Sequence, residues 1–452
     1  MLSRGSFIVM FLVIFLKFEQ FVAQENSNVL TRPSFTILPP NQIRVTIPDR
    51  GGLRFFAFNG NINRRITING VGDISGEAFR PTDGKWTIEM NHHNLQNGNI
   101  IYYWIQGQIN ENVYTLLDQW TITNEVESNG GPPKTILFEE NFDTLDSTIW
   151  ERDFRIPLGP DYEFCVYHNE HHDTLLQIVS GKVVFKPLIL EDVYGDHATA
   201  YGRMMLSKCT SNYEDECSRN ATSFSILPPI ISSRLTTKKR FNFRYGKIEI
   251  RAKFPYGDWL YPEMYLEPVN IAYGYSHNGR IILGLARGND NLIDRNNSQI
   301  FDSRKVDFGF RISTGGHVDD YKVSRVKELG PRWTQDFHNY TTIWDENGFS
   351  FSVDGEEIGR MGPGPDGLLR NKNYHKIAPF DQQFYISIGL GVGGVRVFPD
   401  ETMSLHHKKP WRNVGAKAML NFWQAKNDWF PTWRKDDRLT TFEIDYIRVS
   451  SI

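Results

Sequence analysis

Short runs of alternating apolar and polar residues dominate this chain, and they constrain its fold more than any other feature. Alternation with a period of two places apolar side chains on one face of a sheet, whereas an amphipathic helix needs a period near 3.6. About a hundred such residues predict an immunoglobulin-like β-sandwich over residues 25–125. Gly, Asn and Pro separate the runs, which are QIRVTIP, LRFFAFNG, KWTIEMN, NIIYYWIQGQI and DQWTITNE.

A second block of the same character follows, and the predicted fold class is all-β throughout. Long helical heptads do not appear in residues 136–452, so this block predicts one large sandwich of two curved sheets, a jelly roll. Between the blocks, VESNGGPPK lacks apolar periodicity, and residues 126–135 are interpreted as a linker. The runs of the second block are GKVVFKPLIL, YGKIEIRAKFP, RIILGLA, NYTTIWDENGFSFSVDGE, QFYISIGLGVGG and TFEIDYIRVS.

The N-terminus predicts export from the cell. Arg4 precedes an apolar run from Phe7 to Leu16, and small residues follow near Ala23. This run is too short to cross a bilayer, which takes about 20 apolar residues. Residues 1–24 are therefore interpreted as a secretory signal peptide. Later runs are also too short, so we expect a secreted, extracellular protein without a membrane span.

Export makes disulfides and glycosylation relevant. Cys209 and Cys217 flank the polar segment TSNYEDE, which predicts a disulfide that closes a small loop. The remaining Cys165 is interpreted as a buried thiol, with intermolecular pairing as the alternative. Three Asn-x-Ser/Thr sequons predict glycosylation at Asn220, Asn296 and Asn339.

The net charge and the composition limit the kinds of ligand that the chain can be expected to bind. Fifty basic and 53 acidic residues give a net charge of −3, so no global positive field favours a nucleic acid or an anionic membrane. A decisive cluster of metal ligands is not apparent, and we expect no metal and no cofactor. The chain has eleven Trp and nineteen Tyr, which suit both stacking on sugars and the cores of β-sandwiches.

The second block resembles glycoside hydrolase family 16, the laminarinase-like jelly rolls. In active members, one strand reads Glu-Ile-Asp-Ile-x-Glu shortly before Arg-Gly-Asn, and it supplies the nucleophile, a tuning Asp and the general acid/base. The resemblance spans nearly the whole block. The stretches that carry it are RYGKIEIRAKFPYGDWLYPEMYLEP, GRIILGLARGND, FHNYTTIWDENGFSFSVDGE, PFDQQFYISIGLGVGG and WFPTWRKDDRLTTFEIDYIRV.

The catalytic strand of that family is present here without its acids. Aligned on Arg287-Gly288-Asn289, Arg280 falls at the nucleophile, Ile282 at the middle Asp and Leu285 at the acid/base. A retaining glycosidase needs two carboxyl groups about 5–5.5 Å apart. Residues at i and i+5 share a sheet face only if a bulge resets the alternation. Arg cannot act as a general acid at neutral pH, so we expect no glycosidase activity.

The alternative is an active secreted β-1,3-glucanase whose acids have moved. Glu263 and Glu267 are four residues apart and share a strand face, so they are the candidate pair. Arg280 is expected to pair with a neighbouring acid in the former catalytic position. The family resemblance also places Trp259, Tyr261 and Trp423 where cleft residues stack on sugars, and core packing is the alternative for each.

The first block resembles the glucan-binding domain of insect β-1,3-glucan recognition proteins, also called Gram-negative-bacteria-binding proteins. IRVTIPDRGGLRFFAFNGNIN, DGKWTIEMN, IIYYWIQGQI and DQWTITNE carry the resemblance. In that family the binding face has a Trp and a Tyr on one strand, an Arg on the next and Asp residues on a loop. The matching positions here are Trp104, Gln106, Thr115, Asn69 and Asp73, so only Trp104 and Asp73 keep the family residue.

Together the resemblances imply a catalytically inactive pattern-recognition protein of innate immunity in haemolymph. It would bind microbial polysaccharide such as β-1,3-glucan through one or both β-sandwich domains. It would recruit extracellular serine proteases or other recognition proteins in Toll-type or prophenoloxidase signalling. The predicted sugar contacts are Asp73, Trp104, Gln106, Trp259, Tyr261 and Trp423. The departures at Gln106 and Thr115 leave lipopolysaccharide and peptidoglycan open as ligands.

Overall fold

The chain forms two compact units, Met1–Gly131 and Pro132–Ile452. The predicted signal peptide, residues 1–24, lies outside the described residues, as do Asn69 and residues 126–134 of the predicted linker. The computed structural model describes residues 30–38, 42–49, 52–68, 70–82, 84–91, 95, 99–109, 112–122, 135–168, 174–274, 277–314, 317–371, 373–405, 407–434, 436 and 438–452.

The N-terminal unit is an antiparallel sandwich of a three-stranded sheet, in the order β1-β2-β5, and a four-stranded sheet, in the order β4-β3-β6-β7. The strands follow the alternating runs of the sequence, as predicted. Their bounds are β1 Ser34–Leu38, β2 Gln42–Pro48, β3 Leu53–Ile62, β4 Ile74–Ala78, β5 Lys85–Asn91, β6 Ile100–Ile109 and β7 Asn112–Thr121.

Strand β6 shows how the alternation positions a surface. Ile101, Tyr103 and Ile105 point into the core between the two sheets. Trp104 and Gln106 therefore point to the other side of the four-stranded sheet. We call this side, at Asn59, Tyr102, Trp104 and Gln106, the open face.

The C-terminal unit is a jelly roll of an eight-stranded and a seven-stranded sheet, which confirms the predicted fold class. Its strands are β8 Ile136–Glu140, β9 Glu151–Arg152, β10 Cys165–Tyr167, β11 Leu176–Ile178, β12 Val183–Phe185, β13 Leu188–Ile189, β14 Arg203–Met205, β15 Ser218–Asn220, β16 Ile230–Ser232, β17 Arg234–Thr236, β18 Gly246–Lys253, β19 Leu260–Pro268, β20 Gly279–Ala286, β21 Ile293–Asp294, β22 Lys305–Thr314, β23 His317–Val326, β24 His338–Asp345, β25 Gly348–Val353, β26 Glu356–Met361, β27 Phe384–Val392, β28 Thr402–Met403 and β29 Phe442–Ser450. Its helices are α1 Leu190–Tyr194, α2 Ala198–Tyr201, α3 Glu214–Cys217, α4 Ala418–Gln424 and α5 Lys426–Arg434.

The seven-stranded sheet, in the order β23-β22-β20-β19-β27-β17-β9, carries two apolar layers. One side packs on the eight-stranded sheet and includes Met264 and Leu266 of β19. The other side includes Tyr261 and Tyr265 of the same strand, and it packs with residues of α4 and α5. We call this second side the covered face.

Strand β20 contains the bulge that the sequence pattern requires. Ile282 pairs with Gly309 and Leu285 pairs with Asp307, so three steps on β20 match two on β22. Gly284 absorbs the irregularity with φ of 152°, a conformation that L-residues rarely adopt. Ile282 and Leu285 consequently both join the apolar cluster of the covered face.

The cysteines behave as predicted. Cys209 and Cys217 form a disulfide with Cα atoms 5.4 Å apart. Cys165 is a buried free thiol, and burial raises its pKa well above the usual value. Of the sequon residues, Asn220 and Asn296 are exposed, whereas Asn339 is half-buried and its Oδ1 accepts a hydrogen bond from Tyr446. Glycosylation at the three positions stays a prediction.

No described helix is long and apolar enough to span a bilayer.

Candidate functional site

Two acids from other segments hold Arg280 on the covered face. Its Nη1 donates to Asp161 Oδ2 at 2.9 Å, and its Nη2 donates to Glu267 Oε1 at 2.6 Å. Its guanidinium carbon lies 4.4 Å from the ring centre of Tyr265. The side chain is 17 % exposed, so the protein rather than water compensates its charge. The prediction that Arg280 pairs with a neighbouring acid is confirmed.

Asp161 extends this network towards the edge of the sheet. Arg311 Nη1 donates to both carboxylate oxygens of Asp161 at 2.7 Å, and Arg311 Nε donates to Asp320 Oδ1 at 2.5 Å. Burial alone would raise the pKa of Asp161, but Arg311 and Arg280 hold it below its usual value. The segment before β10 is thereby tied by charge to β20 and β22.

Glu263 and Glu267, the candidate relocated acids, both lie on the covered face, but they are engaged there. Arg234 Nη2 donates to Glu267 Oε1 at 2.7 Å. Tyr167 donates its hydroxyl to Glu263 Oε1 at 3.0 Å, and the Glu263 side chain is fully buried. Burial would raise the pKa of Glu267, yet Arg234 and Arg280 hold it well below its usual value. An anionic, paired carboxylate is a poor proton donor, which speaks against Glu267 as the general acid.

Glu163 is a further buried acid, and sequence reasoning missed it. It is 3 % exposed. Burial and the neighbouring carboxylates of Asp161 and Glu263 raise its pKa to about 8. A raised pKa is a property of general acids, but it is equally the property of any carboxyl group removed from water. Because Glu263 is 100 residues away along the chain, the sequence carried no signal of this pairing.

The predicted cleft aromatics differ in exposure. Trp259 is 2 % exposed and Tyr261 is 1 % exposed. Trp259 packs edge-to-face on Trp411, with ring centres 4.8 Å apart. Stacking of a sugar on Trp259 or Tyr261 would require such contacts to open, so burial gives no support to that role. Trp423 is half-buried with Lys426 Nζ 4.5 Å from its ring centre, and its sugar contact stays a prediction.

On the open face, Trp104 is held by the loop that follows β3. Its indole Nε1 donates to the Gly70 carbonyl at 2.9 Å, and the side chain is 7 % exposed. The pairing of β6 with β7 places Leu117, which is 49 % exposed, beside it. Trp104 therefore lies deeper in this face than Leu117, and only a small part of its ring is accessible.

Asp73 anchors the same loop. Its Oδ2 accepts the backbone N–H of Ile62 at 3.3 Å, and its Oδ1 accepts Arg64 Nη2 at 2.9 Å. Asp73 is 40 % exposed, so its carboxylate remains accessible to a ligand. Gln106 lies two residues from Trp104 on the same face, with Ala57 and Thr115 as its cross-strand neighbours.

The open face is nearly neutral and rich in amides. Its side chains form three rows of cross-strand neighbours, given at the end of this paragraph. Glu77 is the one charged residue in these rows. The sequence resemblance did not single out Phe79, which is 70 % exposed, because its match centred on Trp104. The rows are Phe79-Phe55-Gln108-Val113, Glu77-Ala57-Gln106-Thr115 and Ser75-Asn59-Trp104-Leu117.

Two family models match the chain. CBM39, a carbohydrate binding domain (family 32), matches residues 25–135. Glycosyl hydrolases family 16 matches residues 313–403, a range that begins after β20. The second match thus leaves Arg280, Ile282 and Leu285 outside its bounds.

Solved structures resemble the chain weakly. The laminarinase catalytic domain of Thermotoga petrophila is 21 % identical, with a TM-score of 0.43, over 70 % of this chain and 98 % of that one. The laminarinase of Rhodothermus marinus is 19 % identical, with a TM-score of 0.45, over 71 % and 98 %. These values are too low to support a statement about function.

Curated relatives match along almost the whole chain. The β-1,3-glucan-binding protein 1 of Galleria mellonella is 32 % identical over 91 % of this chain and 94 % of its own length. The Gram-negative bacteria-binding protein 1 of Drosophila melanogaster is 33 % identical over 90 % and 92 %. These relatives are named as binding proteins rather than as enzymes. The chain belongs to the family of β-1,3-glucan-binding and Gram-negative bacteria-binding proteins.

Proposed function

We propose that the protein is a secreted recognition protein of innate immunity that binds microbial surface polysaccharide, with β-1,3-glucan as the first candidate. The observation that carries the proposal is the open face. Its aromatic and amide side chains suit an uncharged sugar polymer, because sugars stack their C–H faces on rings and hydrogen-bond to amides. The names of the relatives support the same ligand class.

The C-terminal unit acts in this proposal without cleaving sugar. The sequence resemblance assigns Arg280, Ile282 and Leu285 to the family's catalytic positions. The nearby acids Asp161, Glu263 and Glu267 are paired or buried. Clustering on a repetitive polymer would then gather extracellular serine proteases or other recognition proteins. Weak sites gain orders of magnitude in apparent affinity when many of them engage one polymer.

A binding assay tests the open face. The secreted chain is incubated with insoluble β-1,3-glucan, peptidoglycan and lipopolysaccharide, and the bound fraction is measured for the native protein and for Trp104→Ala. Gln106→Ala is added because Gln106 is half-buried and easier to truncate than Trp104. Thr87→Ala, on the opposite sheet, is the matched control. We expect loss of glucan binding in the first two variants and full binding in the control.

The outcomes separate the ligands. Equal glucan binding by all variants would refute the open face as the site. Binding to peptidoglycan or lipopolysaccharide alone, lost in the same variants, would keep the face and replace the ligand.

An activity assay tests the alternative of a glucanase. Purified protein is incubated with soluble β-1,3-glucan, and new reducing ends are counted against a sample without protein. We expect no turnover above that blank. Turnover that disappears in Glu263→Gln or Glu267→Gln, in variants that circular dichroism shows to be folded, would establish the relocated acid pair.

A further inference from the structure

Residues 404–434 of the C-terminal unit concentrate positive charge that the proposed sugar binding does not use. They contain six Lys and Arg residues against a single acid, Asp428, although the whole chain carries a net charge of −3. The segment comprises a loop, α4 and α5. A local excess of this size creates an attractive potential for anions at its surface.

Apolar anchors fix the framework that carries these charges. Phe422 of α4 and Trp429 of α5 stack with ring centres 4.7 Å apart, and both are buried in the apolar cluster of the covered face. Trp433 Nε1 donates to the Asp258 carbonyl at 2.9 Å, and Trp411 Nε1 donates to the Gly394 carbonyl at 2.8 Å. The cations therefore project from a packed support.

Most of the cations lack an acidic partner. Lys409 is the exception, because its Nζ lies 2.7 Å from Asp400 and its side chain is 2 % exposed. Four others are exposed and make no ion pair within 4.0 Å to any residue that the structure describes: Lys408, Arg412, Lys417 and Arg434. We call these four, together with Lys426 above the Trp423 ring, the basic surface.

Exposed aliphatic side chains lie among the cations along the chain. Leu405 is 70 % exposed and Val414 is 75 % exposed. A soluble polyanion would gain nothing from them. A lipid surface with anionic headgroups gains from both, because cations meet the phosphates while apolar tips enter the boundary with the acyl chains.

We propose that the basic surface docks on a lipid surface that displays phosphate headgroups, with Leu405 and Val414 inserted between them. This docking is separate from the sugar binding proposed for the open face. Each cation near such a surface contributes roughly fivefold to the partition constant. Loss of three cations should therefore weaken binding on the order of 100-fold.

Vesicle binding tests the charge. The full secreted chain is sedimented with vesicles of phosphatidylcholine alone and of phosphatidylcholine with phosphatidylglycerol. We expect binding only to the second, and the triple variant Lys408→Ala, Arg412→Ala, Lys417→Ala should weaken it by the stated factor. The control Arg203→Ala, Lys208→Ala, Lys376→Ala removes the same charge from other exposed positions and should bind normally. Equal losses in both variants, or none in the first, would overturn the proposal.

A second pair of changes tests the lipid. Leu405→Ser with Val414→Ser should reduce vesicle binding while leaving binding to soluble polyphosphate unchanged. Vesicle binding that survives these changes would assign the basic surface to soluble polyanions and overturn the lipid assignment. Denaturant unfolding of the C-terminal unit confirms folding in every variant, and glucan binding is measured separately, so that this proposal and the sugar proposal can fail separately.

Discussion

The covered face of the C-terminal unit and the open face of the N-terminal unit differ in how they treat charge. The covered face buries charge in pairs, as at Arg280 with Asp161 and Glu267. The open face exposes amides and rings with almost no charge, as at Gln106 and Phe79. Buried ion pairs are intolerant of single changes, whereas half-exposed neutral groups tolerate them. The comparison suggests that the first face is built for structure and the second for contact.

The largest effect that would test this comparison is expected at Glu267. Glu267→Gln leaves Arg234 and Arg280 buried without their shared counter-charge, and loss of one partner of a buried pair costs about 3–5 kcal/mol. Denaturant unfolding of the C-terminal unit measures the loss.

Glu139→Gln is the matched control, because Glu139 pairs with Arg448 at the surface and such pairs contribute about 0–1 kcal/mol. Similar losses in the two variants would contradict the view that the covered face depends on charge pairing.

The next effect concerns pH. The pKa of Glu163 is raised from 4.5 to about 8 in the folded state, so folding favours its protonated form. The stability from this group is fully present below about pH 4.5 and is lost as pH rises, by about 1.4 kcal/mol per unit up to about pH 8. Glu163→Gln should remove that slope, measured as unfolding free energy between pH 5 and 8 in roughly half-unit steps.

Asp161 titrates in the opposite sense and provides the contrast. Its pKa is lowered, so its contribution is present above the unfolded value and disappears in acid. An unchanged slope between pH 5 and 8 in Glu163→Gln would show that Glu163 is ionised in the fold.

A smaller effect is expected from salt on the open face. Because its rows are nearly neutral, glucan affinity should change by less than about threefold between 50 mM and 500 mM NaCl, since screening acts on charges. Isothermal titration with a soluble β-1,3-glucan measures this. A steep fall with salt would indicate that charged residues, rather than amides and rings, hold the polymer.

The smallest effect is expected at the rim of the open face. Asp73→Asn breaks an exposed pair with Arg64, so the unfolding free energy should fall by less than about 1 kcal/mol. Thermal unfolding of the N-terminal unit tests this. A loss several times larger would mean that this face depends on ion pairs as the covered face does.

For both faces, the sequence predicted the course of the backbone better than the solvent exposure of the side chains. The bulge in β20 and the disulfide follow from local patterns, and both are present. The burial of Trp259 does not follow from any local pattern, because Trp411, about 150 residues later, covers it. Trp104 is similarly covered by a loop, because its indole donates to the carbonyl of Gly70, 34 residues earlier. Alternation identifies the side of the sheet, but distant contacts decide what covers it.

The bulge at Gly284 has a consequence for redesign. It orients positions 280, 282 and 285 to one side whatever side chains they carry, so three acids could be grafted there on the existing backbone. Such a graft would align its groups and still lack an entrance, because neighbouring rings and guanidinium groups fill the approach. Building a hydrolase site on this scaffold would therefore require the removal of buried side chains as well as the placement of acids.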